Sequence, residues 1–211
     1  MSTSQSNIRP SGDNGRIAFW FDFASPYSYL AAMRIEEMAT RAGLGVSWRP
    51  MLLGPVFKSV GAPLLPLFAI AQKGEYTWKD LARQAAKFGL PWIRPSQFPR
   101  NGMLAERIMA GHPDAPWTGT FCRAVFHRSW GLDQDIGNQT VIADALQECG
   151  VDPAAAIARA GEDESKLALR QQTDQAVALG IFGAPTMIAR GELFWGNDRL
   201  DDAIAYAAGE A

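Results

Sequence analysis

The sequence predicts an α/β protein in which both ends of the chain build one small sheet and a helical block is inserted between them. Residues 17–23 and 46–50 read as buried strands, and residues 26–42 between them read as a helix. A strand, a helix and a strand within about 35 residues form a βαβ unit, so we expect these two strands to be parallel. Residues 182–195 have the pattern of a loop followed by a β-hairpin.

The residues between these two parts are predicted to be helical from their apolar periodicity and from their Gly and Pro stop signals. Helical structure is expected as a short turn near residues 56–58 and over residues 77–88, 102–111, 117–131, 139–150, 153–160 and 163–179. Gly191 and Glu192 are the expected hairpin turn, and Asn197 is the expected N-cap of a final helix. The predicted organisation is a disordered tail at residues 1–14, a sheet domain of residues 15–60 and 180–211, and a helical insertion domain of residues 61–179.

The composition argues against several classes of function. The 211 residues carry a net charge of -2, which gives no reason to expect nucleic acid or an acidic membrane surface as a partner. The apolar runs are too short to span a bilayer, and residues 1–14 lack the apolar core of a signal peptide, so we expect a cytoplasmic protein. Cys122 and Cys149 have no CxxC spacing and the chain has 2 histidines, so neither a metal site nor a histidine-based triad is expected.

Ser25 and Pro26 mark the point where the first predicted strand gives way to the first helix. Serine is a favourable N-cap residue and proline a favourable first helical residue. A polar side chain at this junction lies over a helix N-terminus, where backbone N–H groups and the helix dipole favour an anion. Most Ser-Pro pairs are only helix starts, so the case for a site depends on other segments.

Three segments occur in order along the chain: DFASPYSYL at 22–30, FGAPT at 182–186 and FWGNDRL at 194–200. With the helical block between them they resemble the DsbA type of thioredoxin-like fold, and within it the 2-hydroxychromene-2-carboxylate isomerases and the related kappa-class glutathione transferases. The resemblance covers nearly the whole chain after residue 15 and implies a thioredoxin-like (DsbA/kappa type) sheet with a large all-helical insertion. DsbA proteins carry Cys-x-x-Cys where this chain has Ser25 and Ser28, so dithiol–disulfide exchange is not available.

The resemblance implies glutathione as the cofactor and Ser25 as the catalytic residue. A serine hydroxyl is barely acidic, and no histidine or lysine lies near it in the sequence to activate it as a nucleophile. We therefore expect Ser25 to donate a hydrogen bond to the glutathione sulfur. A free thiol titrates at about 8.5, and a hydroxyl donor with a helix N-terminus lowers that pKa and favours the thiolate. A simple N-cap is the alternative for Ser25.

The two later segments are implied to bind the rest of glutathione. Pro185 is expected to be cis, and the backbone of Ala184 is expected to pair with the cysteinyl part of the cofactor. The γ-glutamyl end is expected at Trp195, Gly196, Asn197, Asp198 and Arg199. Asp198 is suited to its ammonium group, and the N–H groups of the helix start are suited to its carboxylate. A trans proline in a loop, and a helix start with a solvated ion pair, are the alternatives.

The substrate side is implied by Lys58 and by Phe98. Lys58 lies where the family has substrate-lining residues, and a lysine there suits the carboxylate of a substrate or of the glutathione glycine. Phe98, with Trp92, lies in the loop that helps to form an aromatic substrate slot in the isomerases. Isolated lysines are more often solvated, and loop aromatics more often pack against their own domain. Residues 61–64 are apolar here, where the isomerases carry polar residues including asparagine, and this departure bears on the identity of the substrate.

The implied activity is the interconversion of 2-hydroxychromene-2-carboxylate and trans-o-hydroxybenzylidenepyruvate, a step of aromatic hydrocarbon catabolism. It proceeds by reversible addition of the glutathione thiolate to a small aromatic carboxylate substrate. A homodimer is expected from the family alone. The alternatives are a kappa-like glutathione transferase, in which the thioether is the product, and a non-catalytic thioredoxin-like binding protein that has lost its cysteines.

Overall fold

Both ends of the chain contribute to one four-stranded sheet. The computed structural model describes residues 15–113 and 115–210, so the predicted tail at residues 1–14 lies outside the described residues. The strands are β1 (Arg16–Phe21), β2 (Gly45–Pro50), β3 (Thr186–Ala189) and β4 (Glu192–Trp195). Their order is β2-β1-β3-β4, with β1 and β2 parallel and β3 antiparallel to both β1 and β4. This order confirms the predicted βαβ unit and the joining of the two chain ends.

Helices cover both faces of the sheet and form the block between its two halves. They are α1 (Pro26–Arg41), α2 (Leu53–Ser59), α3 (Ala71–Lys87), α4 (Met103–Ala110), α5 (Thr118–Phe126), α6 (Gln139–Glu148), α7 (Pro153–Gly161), α8 (Asp163–Ala178) and α9 (Leu200–Ala208). A π-helical segment, His127–Gly131, directly follows α5, and a 3-10 turn, Asn197–Arg199, precedes α9. The predicted helical insertion is therefore present.

Three helical predictions differ from the structure in extent or type. The predicted turn near residues 56–58 is the longer helix α2, and α3 begins six residues before the predicted start at residue 77. Gly74 weakens the helical pattern there, but a Cβ at this position would lie 3.1 Å from the ring of Phe68, so glycine lets that ring pack against the helix. The helix predicted over residues 117–131 changes to π-helical geometry at His127.

The C-terminal hairpin is confirmed, but its turn lies one residue earlier than predicted. Arg190 and Gly191 form the turn with φ values of 50° and 85°, and Glu192 already belongs to β4. Two successive residues with positive φ suit the twist of a two-residue hairpin, which explains the glycine at the second position.

Two apolar clusters fix the sheet between its helices. One face, with Phe19, Phe21 and Met187, packs against α1, α5 and α9. The other face, with Trp20 and Ile188, packs against α2 and α8. The first cluster continues into the helical block, because the ring of Phe126 in α5 lies 5.7 Å from that of Phe21. The division into two domains stays a prediction, since the sheet and the inserted helices share these clusters.

Candidate active site

Ser25 lies at the junction between β1 and α1. The residue is buried, has an extended backbone (φ -87°, ψ 113°), and its Oγ accepts a hydrogen bond of 3.2 Å from the backbone N–H of Ser28. Pro26 is the first residue of α1. Ser25 is thus the predicted N-cap, and its hydroxyl stands at the positive end of a 16-residue helix.

The Ser25 hydroxyl also contacts the loop that precedes β3. Its Oγ donates to the carbonyl oxygen of Ala184 over 3.1 Å. The Ala184–Pro185 bond is cis, as expected from the sequence. The carbonyl oxygen of Pro185 accepts from the N–H of Gly196 over 2.9 Å. The segments 22–30 and 182–186 therefore meet at Ser25. The third segment, 194–200, is joined to the second by the hydrogen bond of Gly196.

Asn197 is held by α1 and does not cap the final helix. The side chain of Arg34 donates to the Oδ1 atom of Asn197 over 2.5 Å and stacks on the ring of Phe88, 3.6 Å from its centroid. Asn197 is buried at the start of the 3-10 turn, and α9 begins three residues later without a side-chain cap. The predicted N-cap role is wrong, because Arg34 engages the side chain that would have capped the helix.

Asp198 and Arg199 are exposed and bind each other. The guanidinium of Arg199 lies 3.0 Å from Asp198 and 2.9 Å from Asp202. Hydrogen bonding to Asp198 raises the pKa of Arg199. Exposed pairs of this kind are weak and exchange readily with other ions. The Asp198 carboxylate therefore has a partner at present and is also accessible to a cation from solution.

Tyr27, two residues after Ser25, is hydrogen-bonded to α3. Its hydroxyl donates to the carboxylate of Asp80 over 2.8 Å. Burial first, and then the hydrogen bond to Asp80, raise the pKa of Tyr27, and the negative charge of Asp198 adds to this effect.

Trp195 and Gly196 line the edge of the sheet beside the cis-proline loop. The indole of Trp195 is half exposed, and its ring lies 4.9 Å from that of Phe182. A Cβ at Gly183 would lie 2.5 Å from Nε1 of this indole, so the side chain lies directly on the loop. Gly196 has φ 114°, which side-chain-bearing residues rarely adopt, and a Cβ there would collide with the Asp198 carboxylate.

Lys58 and Phe98, the two predicted substrate residues, have different environments. Lys58 is exposed in the last turn of α2 and forms no ion pair within the described part of the chain. Phe98 is half buried, with its ring 4.8 Å from Phe68 and 5.2 Å from Trp78. Phe98 thus packs within its own domain, as part of an aromatic cluster that also contains Trp92 and Trp130.

Trp130 connects this aromatic cluster to the Ser25 loop, and the sequence did not identify it. It lies in the π-helical segment, stacks on Trp92 at 5.7 Å, and donates its indole N–H to the carbonyl oxygen of Phe23 over 3.2 Å. Short π-helical segments are frequent at functional sites because they redirect side chains within a helix. No motif in the sequence marks this change of helical geometry.

Two buried carboxyl groups lie behind the same loop, and the sequence reasoning did not single out either. Asp22 follows β1 and Glu106 lies in α4; they are 7% and 1% exposed. Burial raises the pKa of both groups, and the negative charge of Asp22 adds to the effect on Glu106. Asp22 belongs to the segment 22–30, so its position near Ser25 could be predicted from the sequence. The position of Glu106, which is distant in the sequence, could not.

Neither cysteine offers a thiolate to this site. Burial raises the pKa of both the Cys122 and the Cys149 thiol. Within residues 15–113 and 115–210 there is no group of three or more His, Cys, Asp or Glu side chains arranged to hold a metal ion. In the same part of the chain, no helix has the length and apolar character needed to cross a membrane.

The sequence and the fold match known proteins over nearly their full length. A family model described as a DSBA-like thioredoxin domain matches residues 16–206. A 2-hydroxychromene-2-carboxylate isomerase of Sphingobium xenophagum is 30% identical over 190 residues, which are 90% of this chain and 96% of that protein. Glutathione S-transferase kappa 2 of Caenorhabditis elegans is 27% identical over 206 residues, covering 91% of each protein. A solved 2-hydroxychromene-2-carboxylate isomerase superimposes with a TM-score of 0.78 at 27% identity, covering 92% of this chain and 94% of that chain.

The sheet order, the inserted helices and the serine turn facing a cis-proline define a thioredoxin-like protein without a redox-active cysteine pair. The family model and the similar proteins identify a smaller group within this class. The chain belongs to the DsbA-like thioredoxin-domain family, within the group that contains the 2-hydroxychromene-2-carboxylate isomerases.

Proposed function

We propose that the protein is a glutathione-dependent isomerase that interconverts 2-hydroxychromene-2-carboxylate and trans-o-hydroxybenzylidenepyruvate. The observation that carries the proposal is the 3.1 Å hydrogen bond from Ser25 Oγ to the carbonyl oxygen of Ala184. This contact brings a hydroxyl donor, a helix N-terminus and the backbone of the cis-proline loop to one point. Relatives named as isomerases over about nine-tenths of the chain support the same reaction.

The groups around Ser25 fit the parts of glutathione. The cofactor supplies, when bound, a thiolate that adds reversibly to the conjugated carbon of the substrate. The Ser25 hydroxyl and the α1 N-terminus suit the sulfur anion. The Ala184 backbone in the cis-proline loop suits the peptide part, because extended ligands bind through main-chain hydrogen bonds. The accessible Asp198 carboxylate suits an ammonium group. Trp195, Gly196, Asn197 and Arg199 complete the proposed cofactor site.

Ser25 acts as a hydrogen-bond donor and not as a nucleophile. Within the described residues, no basic side chain hydrogen-bonds to its Oγ. The hydroxyl has a single proton, which is directed at the Ala184 carbonyl, while its oxygen accepts from Ser28. A sulfur anion bound at the α1 N-terminus would take the Ser25 hydrogen bond in place of the Ala184 carbonyl, which would then accept from an amide of the same ligand. Cofactor binding and thiolate stabilisation are thus linked through one hydroxyl.

Replacing Asp198 by Asn is expected to raise the KM for glutathione about tenfold and to leave kcat within about twofold, because a charged hydrogen bond made in binding is lost. The matched control is Asp202→Asn, which removes the other carboxylate bound by Arg199. Steady-state kinetics with varied glutathione measures both variants. Equal increases in KM for the two variants would contradict the assignment of Asp198.

Replacing Lys58 by Met is expected to raise the KM for the chromene carboxylate about tenfold, with the KM for glutathione unchanged, because an ammonium close to a carboxylate adds affinity. The control is Lys166→Met, which removes an exposed lysine that pairs with Asp163 at the start of α8. An unchanged substrate KM in Lys58→Met would show that this lysine is only solvated, and then Phe98 alone would remain of the proposed substrate residues.

An absorbance assay of the interconversion, with and without glutathione, tests the proposed reaction. A kappa-like transferase is the second candidate, favoured by the kappa relative that is 27% identical over 206 residues. Following the free thiol separates the two, because an isomerase regenerates glutathione and a transferase consumes it. Binding of glutathione without either reaction, seen as a higher thermal midpoint, would support a non-catalytic binding protein. A homodimer and a cytoplasmic location belong to the same proposal, and light scattering tests the first.

A further inference from the structure

The loop that carries Ser25 is fastened by two buried carboxyl groups. The backbone N–H of Phe23 donates to Oε1 of Glu106 over 3.4 Å. The N–H of Ala24 donates to Oδ1 of Asp22 over 2.7 Å, and the N–H of Ser25 to the backbone carbonyl of Asp22 over 2.9 Å. Three consecutive N–H groups, up to and including that of Ser25, are therefore held by Asp22 and Glu106.

Asp22 also connects this loop to the helix that carries Lys58. Its second oxygen, Oδ2, accepts from the N–H of Leu53 over 2.8 Å, at the first residue of α2. One carboxylate thus binds the Ser25 loop with one oxygen and the start of α2 with the other. The Asp22 carboxylate therefore connects the loop of the proposed cofactor residue Ser25 with the helix of the proposed substrate residue Lys58.

The positions of the two carboxyl groups favour one proton between them. Both side chains are buried, they accept from the neighbouring N–H groups of Phe23 and Ala24, and within the described residues neither forms an ion pair, so two negative charges there would be uncompensated. Two short N–H donors stabilise the charged form of Asp22, whereas Glu106 receives one long bond. Glu106 is therefore the group of the two that favours the protonated form. The positive charge of Arg107, on the same helix as Glu106, favours ionisation of Glu106.

We propose that Asp22 and Glu106 are positioning residues that share one proton and thereby hold the Ser25 hydroxyl against the cis-proline loop. Glu106 acts through Asp22 and the backbone of Phe23, and it does not contact the reacting atoms. The role in activity rests on the proposed isomerase function; the shared proton does not depend on it.

The shared proton makes the attachment sensitive to pH in one direction. Burial raises the pKa of Glu106 well above its usual value. In the unfolded chain, Glu106 ionises at the ordinary pKa of a glutamic acid. The stability that protonated Glu106 contributes is therefore fully present below that ordinary pKa. This contribution to stability declines as the pH rises towards and through the raised pKa of Glu106, because two buried negative charges would then repel each other. Activity is expected to fall on the same alkaline limb.

Two substitutions of Glu106 separate this role from simple packing. Glu106→Gln keeps an acceptor for Phe23 and an N–H donor for Asp22, but it has no proton to lose. Glu106→Leu fills the space and removes both contacts. We expect Glu106→Leu to lose about tenfold in kcat and Glu106→Gln to recover most of it. The alkaline decline of both kcat and the thermal midpoint should be flattened in Glu106→Gln. Infrared spectra should show the carbonyl band of a buried carboxylic acid in the wild type and not in either variant.

The proposal would be overturned if kcat and the thermal midpoint of Glu106→Gln declined at alkaline pH as they do in the wild type. A wild-type kcat in Glu106→Leu would overturn it as well. If the wild type has no isomerase activity, the proposed function fails, but the infrared band and the pH dependence of the thermal midpoint still test the shared proton. Absence of the carboxylic acid band in the folded wild type would overturn the proposal even if the enzyme is active.

Discussion

Ser25→Ala is expected to lower kcat about 10²-fold while the protein remains folded. The loss follows from the hydroxyl geometry, because Ser25 lies at the α1 N-terminus and directs its proton at the cis-proline loop. Deleting a single donor that stabilises developing negative charge typically costs about 10²–10³ in rate. The pKa of the bound thiol should rise in the variant, which ultraviolet absorbance of the thiolate measures against pH.

The same substitution also removes an N-cap, which typically costs about 1 kcal/mol and lowers the thermal midpoint of a chain of this size by about 2–4 °C. A matched control is Asn138→Ala. Asn138 caps α6 by accepting from the N–H of Thr140 over 2.9 Å, and it is exposed. The control should show a similar shift of the midpoint with a normal kcat. Wild-type turnover by Ser25→Ala would show that the serine is an N-cap and nothing more.

Phe126→Ala is expected to produce the largest loss of stability, about 3–5 kcal/mol, since a buried phenylalanine replaced by alanine leaves a cavity. The ring is fully buried and lies 4.7 Å from Phe23, 5.7 Å from Phe21 and 6.4 Å from Tyr29. It therefore joins the inserted helices to the sheet, to α1 and to the loop before Ser25. The thermal midpoint should fall by about 10 °C or more, as measured by circular dichroism.

A second effect of Phe126→Ala is expected well below its midpoint, where kcat should fall severalfold because Phe23 loses its support. The control is Leu146→Ala, which removes a fully buried side chain of α6. It should lower stability by about 2–5 kcal/mol and leave kcat unchanged once the enzyme is folded. Equal loss of kcat in both variants would show that activity follows stability alone, without a specific contribution from the contact with Phe23.

The parts of the site that follow local rules were predictable from the sequence. Ser25 as N-cap, the parallel βαβ unit and the hairpin depend on short-range patterns of capping, periodicity and turn residues. The contacts between distant segments were not predictable from these patterns. Asn197 has a good capping side chain, but Arg34 binds it. Glu106 reads as a solvated residue of a short helix until α4 packs against the Ser25 loop.

The change to π-helical geometry at His127 escaped the sequence for a related reason. The periodicity of residues 117–131 is equally compatible with one continuous helix, and what distinguishes the two is the tertiary contact of Trp130 with Phe23. The roles of the predicted site residues in binding and catalysis stay predictions. Their positions, at least around Ser25, Ala184 and Gly196, follow from the sheet order once both ends of the chain are known to share one sheet.

The pairing of β3, near the end of the chain, with β1, near its beginning, has a consequence for biosynthesis. Ser25 and Ala184 are 159 residues apart in sequence but are joined by one hydrogen bond. Closing so long a loop is entropically costly, and contacts of this range slow folding. During synthesis Ser25 leaves the ribosome early. Its contact with Ala184 can form only after the C-terminal hairpin has been released and has paired with β1. We expect a nascent chain or a truncated product that ends before residue 184 to have the serine turn but not its partner carbonyl, and therefore to be inactive.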